Sequence, residues 1–172
     1  EDGARVYWVC PLVEESDLVD LAAAEERYAS LVGMFGDRVG LIHGRLKGPQ
    51  KDAVMADFAE GRLDVLVATT VIEVGVDVPE ATIMVVEQAE RFGLAQLHQM
   101  RGRIGRGNRP GTCLLLYHGP LGETAKARIE IMRETEDGFV IAEKDLELRG
   151  AGEVLGTRQS GLPTFNLADL SV

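Results

Sequence analysis

No Gly-x-x-x-x-Gly-Lys-Ser/Thr occurs anywhere in the 172 residues, so the loop that cradles the phosphates of a nucleotide is missing. No Asp-Glu pair closes an apolar strand, so nothing of the kind that holds magnesium beside such a loop is present. A Gly-x-Gly-x-x-Gly opening is absent too, which argues against a small-molecule dinucleotide-binding domain. The two cysteines, Cys10 and Cys113, are too far apart in sequence for a zinc site or a disulfide framework. With no metal-ligand spacing around His118 either, no metal site is expected, and the thiols read as reduced core residues. No charged-then-apolar leader opens the chain, and no apolar run nears the roughly 18 residues needed to cross a bilayer. These features set membrane roles aside and point to the cytoplasm.

Basic residues are also scarce. Eighteen Lys and Arg face 28 Asp and Glu, a formal charge of −10, whereas dedicated nucleic-acid binders are often strongly basic. Position qualifies the total. Residues 1–60 hold six basic and twelve acidic residues, but residues 101–109 hold Arg101, Arg103, Arg106 and Arg109 without one acid. The acids fall mainly on expected helices, where they make solvated outer faces.

What is there reads as strands alternating with helices. Strands are expected over Val6–Cys10, Arg38–Ile42, Val65–Ala68, Thr82–Val86 and Thr112–Tyr117, and helices over Leu18–Val32, Gln50–Glu60 and Leu94–Gly102. Ser16 or Asp17 can cap the first helix, and Pro49 suits the first turn of the second. Such alternation gives an α/β fold, a parallel sheet with helices on both faces. After Tyr117 the pattern changes. Glu123–Arg133 and Phe139–Glu147 read as two short helices in a hairpin. The segment beyond Arg149, with Gly150, Gly152, Gly156 and Gly161, reads as too glycine-rich for regular structure. The expected division is a lobe over 1–120 and a hairpin with a Gly-rich loop over 121–172.

Two stretches carry chemistry. Gln99-Met-Arg-Gly-Arg-Ile-Gly-Arg106 puts three arginines and two glycines at the end of a helix. A guanidinium offers a permanent charge and a planar fork, suited to the charge spread over a phosphoryl group in transfer. Gly102 and Gly105 would let the backbone approach a ligand. The second stretch, Ala68-Thr-Thr-Val-Ile-Glu-Val-Gly-Val-Asp-Val-Pro79, follows a buried parallel strand, and ligands in open α/β sheets gather at the carboxyl ends of strands. Thr69 and Thr70 suit phosphate oxygens; Asp77 beside its turn suits a ribose hydroxyl or a partner arginine.

Together these stretches resemble motifs V and VI of superfamily 2 helicases. Arg5-Val-Tyr-Trp-Val-Cys-Pro11 is similar to the opening strand of their second RecA-like lobe, and Gly40-Leu-Ile-His-Gly-Arg-Leu46 to the segment before motif V. Residues 137–161, around Lys-Asp-Leu-Glu-Leu-Arg-Gly-Ala-Gly, resemble the translocation element of the RecG family of branched-DNA helicases. Transcription-repair coupling factors share that core. Thr135-Glu-Asp-Gly-Phe139 and Gly156-Thr-Arg-Gln-Ser-Gly161 favour RecG.

The resemblance implies a second RecA-like lobe with a C-terminal appendage, inactive or nearly so as an ATPase alone, cut from an ATP-dependent helicase or translocase of recombination and repair. ATP and Mg²⁺ would be bound mainly by the first lobe. Arg103 and Arg106 would be catalytic, with Gly75, Asp77 and Gln99 at the nucleotide. His43, Gly44, Thr69 and Thr70 would hold DNA, while Arg128, Arg149, Arg158 and Gln159 would couple hydrolysis to translocation. The implied partners are forked or branched double-stranded DNA, and the first lobe and wedge domain of the same polypeptide. The alternative is the corresponding lobe of a coupling factor.

Overall fold

A computed structural model describes residues 3–12, 17–69, 78–106 and 108–155. Five strands form one parallel sheet: β1 (Arg5–Cys10), β2 (Val39–Ile42), β3 (Val65–Thr69), β4 (Ala81–Val86) and β5 (Thr112–Leu115). Their spatial order is β2-β3-β1-β4-β5. The helices are α1 (Asp17–Phe35), α2 (Gly48–Ala59), α3 (Leu94–Arg101), α4 (Glu123–Glu134) and α5 (Gly138–Leu155).

Strand alternation decides which helix covers which face. Tyr7 and Val9 point into one core with Met55 and Phe58 of α2 and with Leu94, Leu97 and Met100 of α3. Val6, Trp8 and Cys10 point the other way, towards Ala24, Tyr28 and Leu31 of α1. The split follows from right-handed crossovers: the chain moves in one direction across the sheet from β1 to β2 and in the other from β2 to β5. The larger core centres on Phe58, which is fully buried, its ring 4.9 Å from that of Tyr7. Removing so large a buried side chain typically costs about 3–5 kcal/mol.

The connection from β1 runs through α1 on one face, while that from its neighbour β4 runs through α3 on the other. That makes the carboxyl end of β1 a topological switch point, where α/β sheets open a crevice. Cys10 pairs in register with Thr69, and the N–H of Glu87 donates to the carbonyl of Val9 at 2.9 Å. The crevice is therefore walled by the ends of β3 and β4.

Helices α4 and α5 fold back on one another through Thr135–Asp137, and Met132 and Ile141 enter the same core as α3. Two details differ from the sequence expectation. Helix α5 does not stop near Glu147 but continues to Leu155, through Gly150 and Gly152. Two interior glycines weaken a helix by about 1 kcal/mol each relative to alanine, which an 18-residue segment tolerates when its first turns are packed against α3 and α4. Strand β5 is the sheet edge, so Cys113 is only half-buried, and Leu114 and Leu116 are 48% and 45% exposed. Asp17 is the first described residue of α1, and Ser16 lies outside the described residues.

Candidate nucleotide and nucleic-acid site

The arginine element leaves the end of α3. The Gly102 N–H donates to the carbonyl of His98 at 3.0 Å, and the Arg103 N–H to that of Met100 at 3.0 Å, closing the helix. The Arg106 Nε donates to the Gly102 carbonyl at 2.8 Å, so the guanidinium lies back against the turn. Both arginines expected to be catalytic thus issue from one compact turn, anchored by Ile104 in the core. Gln99 is exposed on the last turn of α3.

Gly105 is needed here for a reason other than ligand approach. Its φ is +67°, and a Cβ on it would lie 2.5 Å from the Gly111 nitrogen. The close neighbour is the chain's own return into β5, so the glycine fixes the path of the arginine turn. Gly105→Ala should lower the stability of this chain by on the order of 3 kcal/mol, combining left-handed strain with a backbone clash. The melting temperature should accordingly fall by about 6–12 °C. An unchanged melting temperature would show that the turn can shift freely.

Arg101 is engaged differently. Its Nη1 donates to the carbonyls of Met132 at 2.7 Å and Thr135 at 2.8 Å, and its Nη2 lies 3.3 Å from His98 Nδ1. These carbonyls end α4, where a helix carries its negative pole. His98 continues the joint, since a Cβ on Gly138 would lie 3.2 Å from its Nε2. Above this joint, a cavity of about 770 Å³ opens between Ile104, Cys113, Ile129 and Met132. One turn earlier on α4, the Nη1 of Arg128 donates to the carbonyl of Phe92 at 2.7 Å, tying the hairpin to the turn before α3. Arg149 forms a within-helix ion pair with Asp145 at 2.8 Å.

The carboxyl edge of the sheet holds the remaining expected residues. Ile42 pairs with Ala68, which sets His43 beside Thr69. Thr69 is only 6% exposed; His43 is half-buried, and its Nδ1 accepts the Arg45 N–H at 3.3 Å; Gly44 is exposed. Thr70, Gly75, Asp77, Arg158 and Gln159 lie outside the described residues. Among the described residues no group of His, Cys, Asp and Glu could hold a metal ion.

Sequence reasoning missed a polar cluster at the end of β4. The Trp8 Nε1–H donates to Glu87 Oε1 at 2.7 Å, and Arg27 of α1 pairs with the same oxygen while lying 5.5 Å over the Trp8 ring. Burial, and then Glu87, push the Cys10 thiol up to about 12, so it stays protonated and inert. Gln88 follows in the left-handed region, at φ 49°, before the Ala89 N–H reaches the Leu116 carbonyl at 2.8 Å. A non-glycine residue held there marks a tightly determined turn at the mouth of the crevice.

Two family models match the chain. The family model for the helicase conserved C-terminal domain matches residues 1–108, and that for ATP-dependent DNA helicase RecG, domain 3, C-terminal, matches residues 135–171. The ATP-dependent DNA helicase RecG of Acidithiobacillus ferridurans is 57% identical over 171 residues, covering 99% of this chain and 25% of the relative. That of Escherichia coli K12 is 56% identical over 170 residues, covering 98% of this chain and 24% of the relative. A structure of RecG bound to a three-way DNA junction superposes with a TM-score of 0.71 at 49% identity, covering 88% of this chain and 20% of that one. The chain thus spans about a quarter of the length of the curated relatives it matches. With the sheet order, the arginine turn and the family match over residues 1–108 in agreement, the chain belongs to the helicase conserved C-terminal domain family, as a lobe of the RecG type.

Proposed function

We propose that this lobe is the C-terminal half of an ATP-dependent motor that moves along double-stranded DNA and remodels forks and other branched junctions in the cytoplasm. The observation that carries the reading is the continuity from the arginine turn to the hairpin: Arg103 and Arg106 follow directly on Arg101, which is bonded to the end of α4. A change in what those guanidiniums touch is felt at the hairpin without passing through a flexible linker.

The donor set fits the outer side of a nucleotide rather than a whole site. Two guanidiniums suit phosphate oxygens, whereas the described residues offer no carboxylate cluster for Mg²⁺. ATP, held mainly by a first lobe, supplies the phosphoryl bond whose cleavage drives the cycle. In this lobe Arg103 and Arg106 neutralise developing charge, with Gly75, Asp77 and Gln99 at the nucleotide edge. His43, Gly44, Thr69 and Thr70 lie along the DNA backbone, where contacts carry no sequence information. The unit over 1–120 serves as the motor lobe, and the unit over 121–172 transmits its motion to the wedge domain through Arg128, Arg149, Arg158 and Gln159.

The test compares the full-length parent with this chain alone, each with ATP and forked duplex. The parent should hydrolyse ATP in a fork-dependent manner and unwind the fork, while the 172-residue chain should remain at the buffer background. Turnover by the chain alone at the parent's rate would overturn the two-lobe reading. A parent indifferent to DNA would overturn the motor.

A further inference from the structure

The sheet ends on β5, and outside β5 runs a groove. The N–H of Leu116 donates to the Val86 carbonyl at 2.9 Å and its carbonyl accepts the Ala89 N–H at 2.8 Å, so Leu116 bonds inward to the sheet. Peptide groups alternate along a strand, which leaves those of Cys113 and Leu115 facing outward, unpaired among the described residues. The side chains of the same two residues pack against the core shared with α3 and α4. There the cavity of about 770 Å³ beside Cys113 adjoins a second of about 340 Å³ beside Tyr117 and Leu121, and Ile129 and Arg133 of α4 border both. The result is one groove, with the strand edge as its near wall and α4 as its far wall. Leu114, Leu116 and Tyr117, each about half exposed, extend the apolar strip.

An edge with open main-chain groups beside an apolar groove is a template for one more strand. Arg133, where the two cavities meet, has no acidic partner among the described residues. The groove therefore suits an extended segment with apolar side chains at alternate positions and an acid close behind them. The chain carries one. Residues 156–172 lie outside the described residues, and within them Thr164-Phe-Asn-Leu-Ala168 alternates polar and apolar around Phe165 and Leu167. Asp169 follows, the only acidic residue after Glu153. The reach is sufficient. Helix α5 is rooted against His98, which lines the groove, and its far end is about 27 Å from that root. The nine residues 156–164, fully extended, span about 30 Å.

We infer that residues 165–169 of this chain add to the outer edge of β5 as a sixth strand, with Phe165 and Leu167 in the groove and Asp169 against Arg133. The docking needs neither ATP nor DNA and so goes beyond the motor reading. It also bears on that reading. The segment with Arg158 and Gln159 is then held at both ends, at one by the tip of α5 and at the other by the lobe. A loop fixed at one end only follows the tip; a loop fixed at both changes shape whenever the tip moves relative to β5.

The experiment uses the complete 172-residue chain, whose only thiols are Cys10 and Cys113. Cys10 is buried and stays protonated, so labelling by a maleimide reports on Cys113. Replacing Phe165 and Leu167 together by alanine should speed that labelling by on the order of tenfold or more, because the cover over Cys113 is then open most of the time. Melting curves keep an unfolded variant from passing as an opened groove. The decisive arm is a bridge: with oxidised glutathione as the oxidant, Phe165→Cys or Leu167→Cys should form an intramolecular disulfide with Cys113, since neighbouring strands bring such residues within bridging distance, whereas Ser160→Cys should not. Absence of that bridge in both variants overturns the inference whatever the labelling rates. A bridge found only between two chains makes the occupant a second copy and overturns it too. Neither readout involves the fork or its unwinding, so a parent indifferent to DNA would overturn the motor reading and leave this one standing.

Discussion

Replacing Arg106 or Arg103 by alanine in the full-length parent should lower its DNA-stimulated ATP turnover by on the order of 10³-fold or more in each case, the usual contribution of a finger arginine. The loss should fall on kcat with KM for ATP little changed, because charge accumulates on the phosphoryl group only as it leaves. Arg106 also donates to the Gly102 carbonyl, so its removal slightly loosens the end of α3. Arg106→Lys separates the two roles: it keeps a charge but loses the planar fork, and should recover only a small part of the turnover. Steady-state hydrolysis at saturating forked DNA, with melting curves to confirm folding, decides the matter. Near-normal turnover in either alanine variant removes that residue from the catalytic set.

Arg128→Ala should do the opposite. Its guanidinium, bonded to the Phe92 carbonyl, touches nothing of the arginine turn, so hydrolysis should continue while fork unwinding per ATP falls. A joint of this kind typically modulates coupling by about 0.5–2 kcal/mol, or roughly two- to thirtyfold in the ratio. Gln159→Ala should shift the ratio in the same direction. The measurement is fork unwinding normalised to ATP turnover in the same tube. An unchanged ratio reduces residues 121–172 to an appendage, and equal loss of both activities reduces Arg128 to a structural bond.

Local patterns made most of the framework legible. The five strands and three core helices lie within a few residues of their expected bounds, because continuous apolar runs and helical repeats report directly on burial. The glycines of α5 mislead for a physical reason: propensity lowers the odds of a helix, but packing of its first turns decides the outcome. Arg101 was readable as part of a basic strip but not as a bond to α4, since no spacing rule predicts a partner more than thirty residues away. Gly105 was readable as a close approach, but the partner, Gly111, was not.

Helix α5 begins where His98 meets Gly138 and extends 18 residues from that point. At 1.5 Å per residue it is a lever of about 27 Å, and a rotation of about 10° at its root would carry its far end through about 5 Å. Adjacent base pairs of a duplex are separated by about 3.4 Å. In the motor proposed above, the arginine turn would therefore need to move very little: a tilt smaller than the scatter between packed helices would carry the tip of α5 through more than one base-pair step.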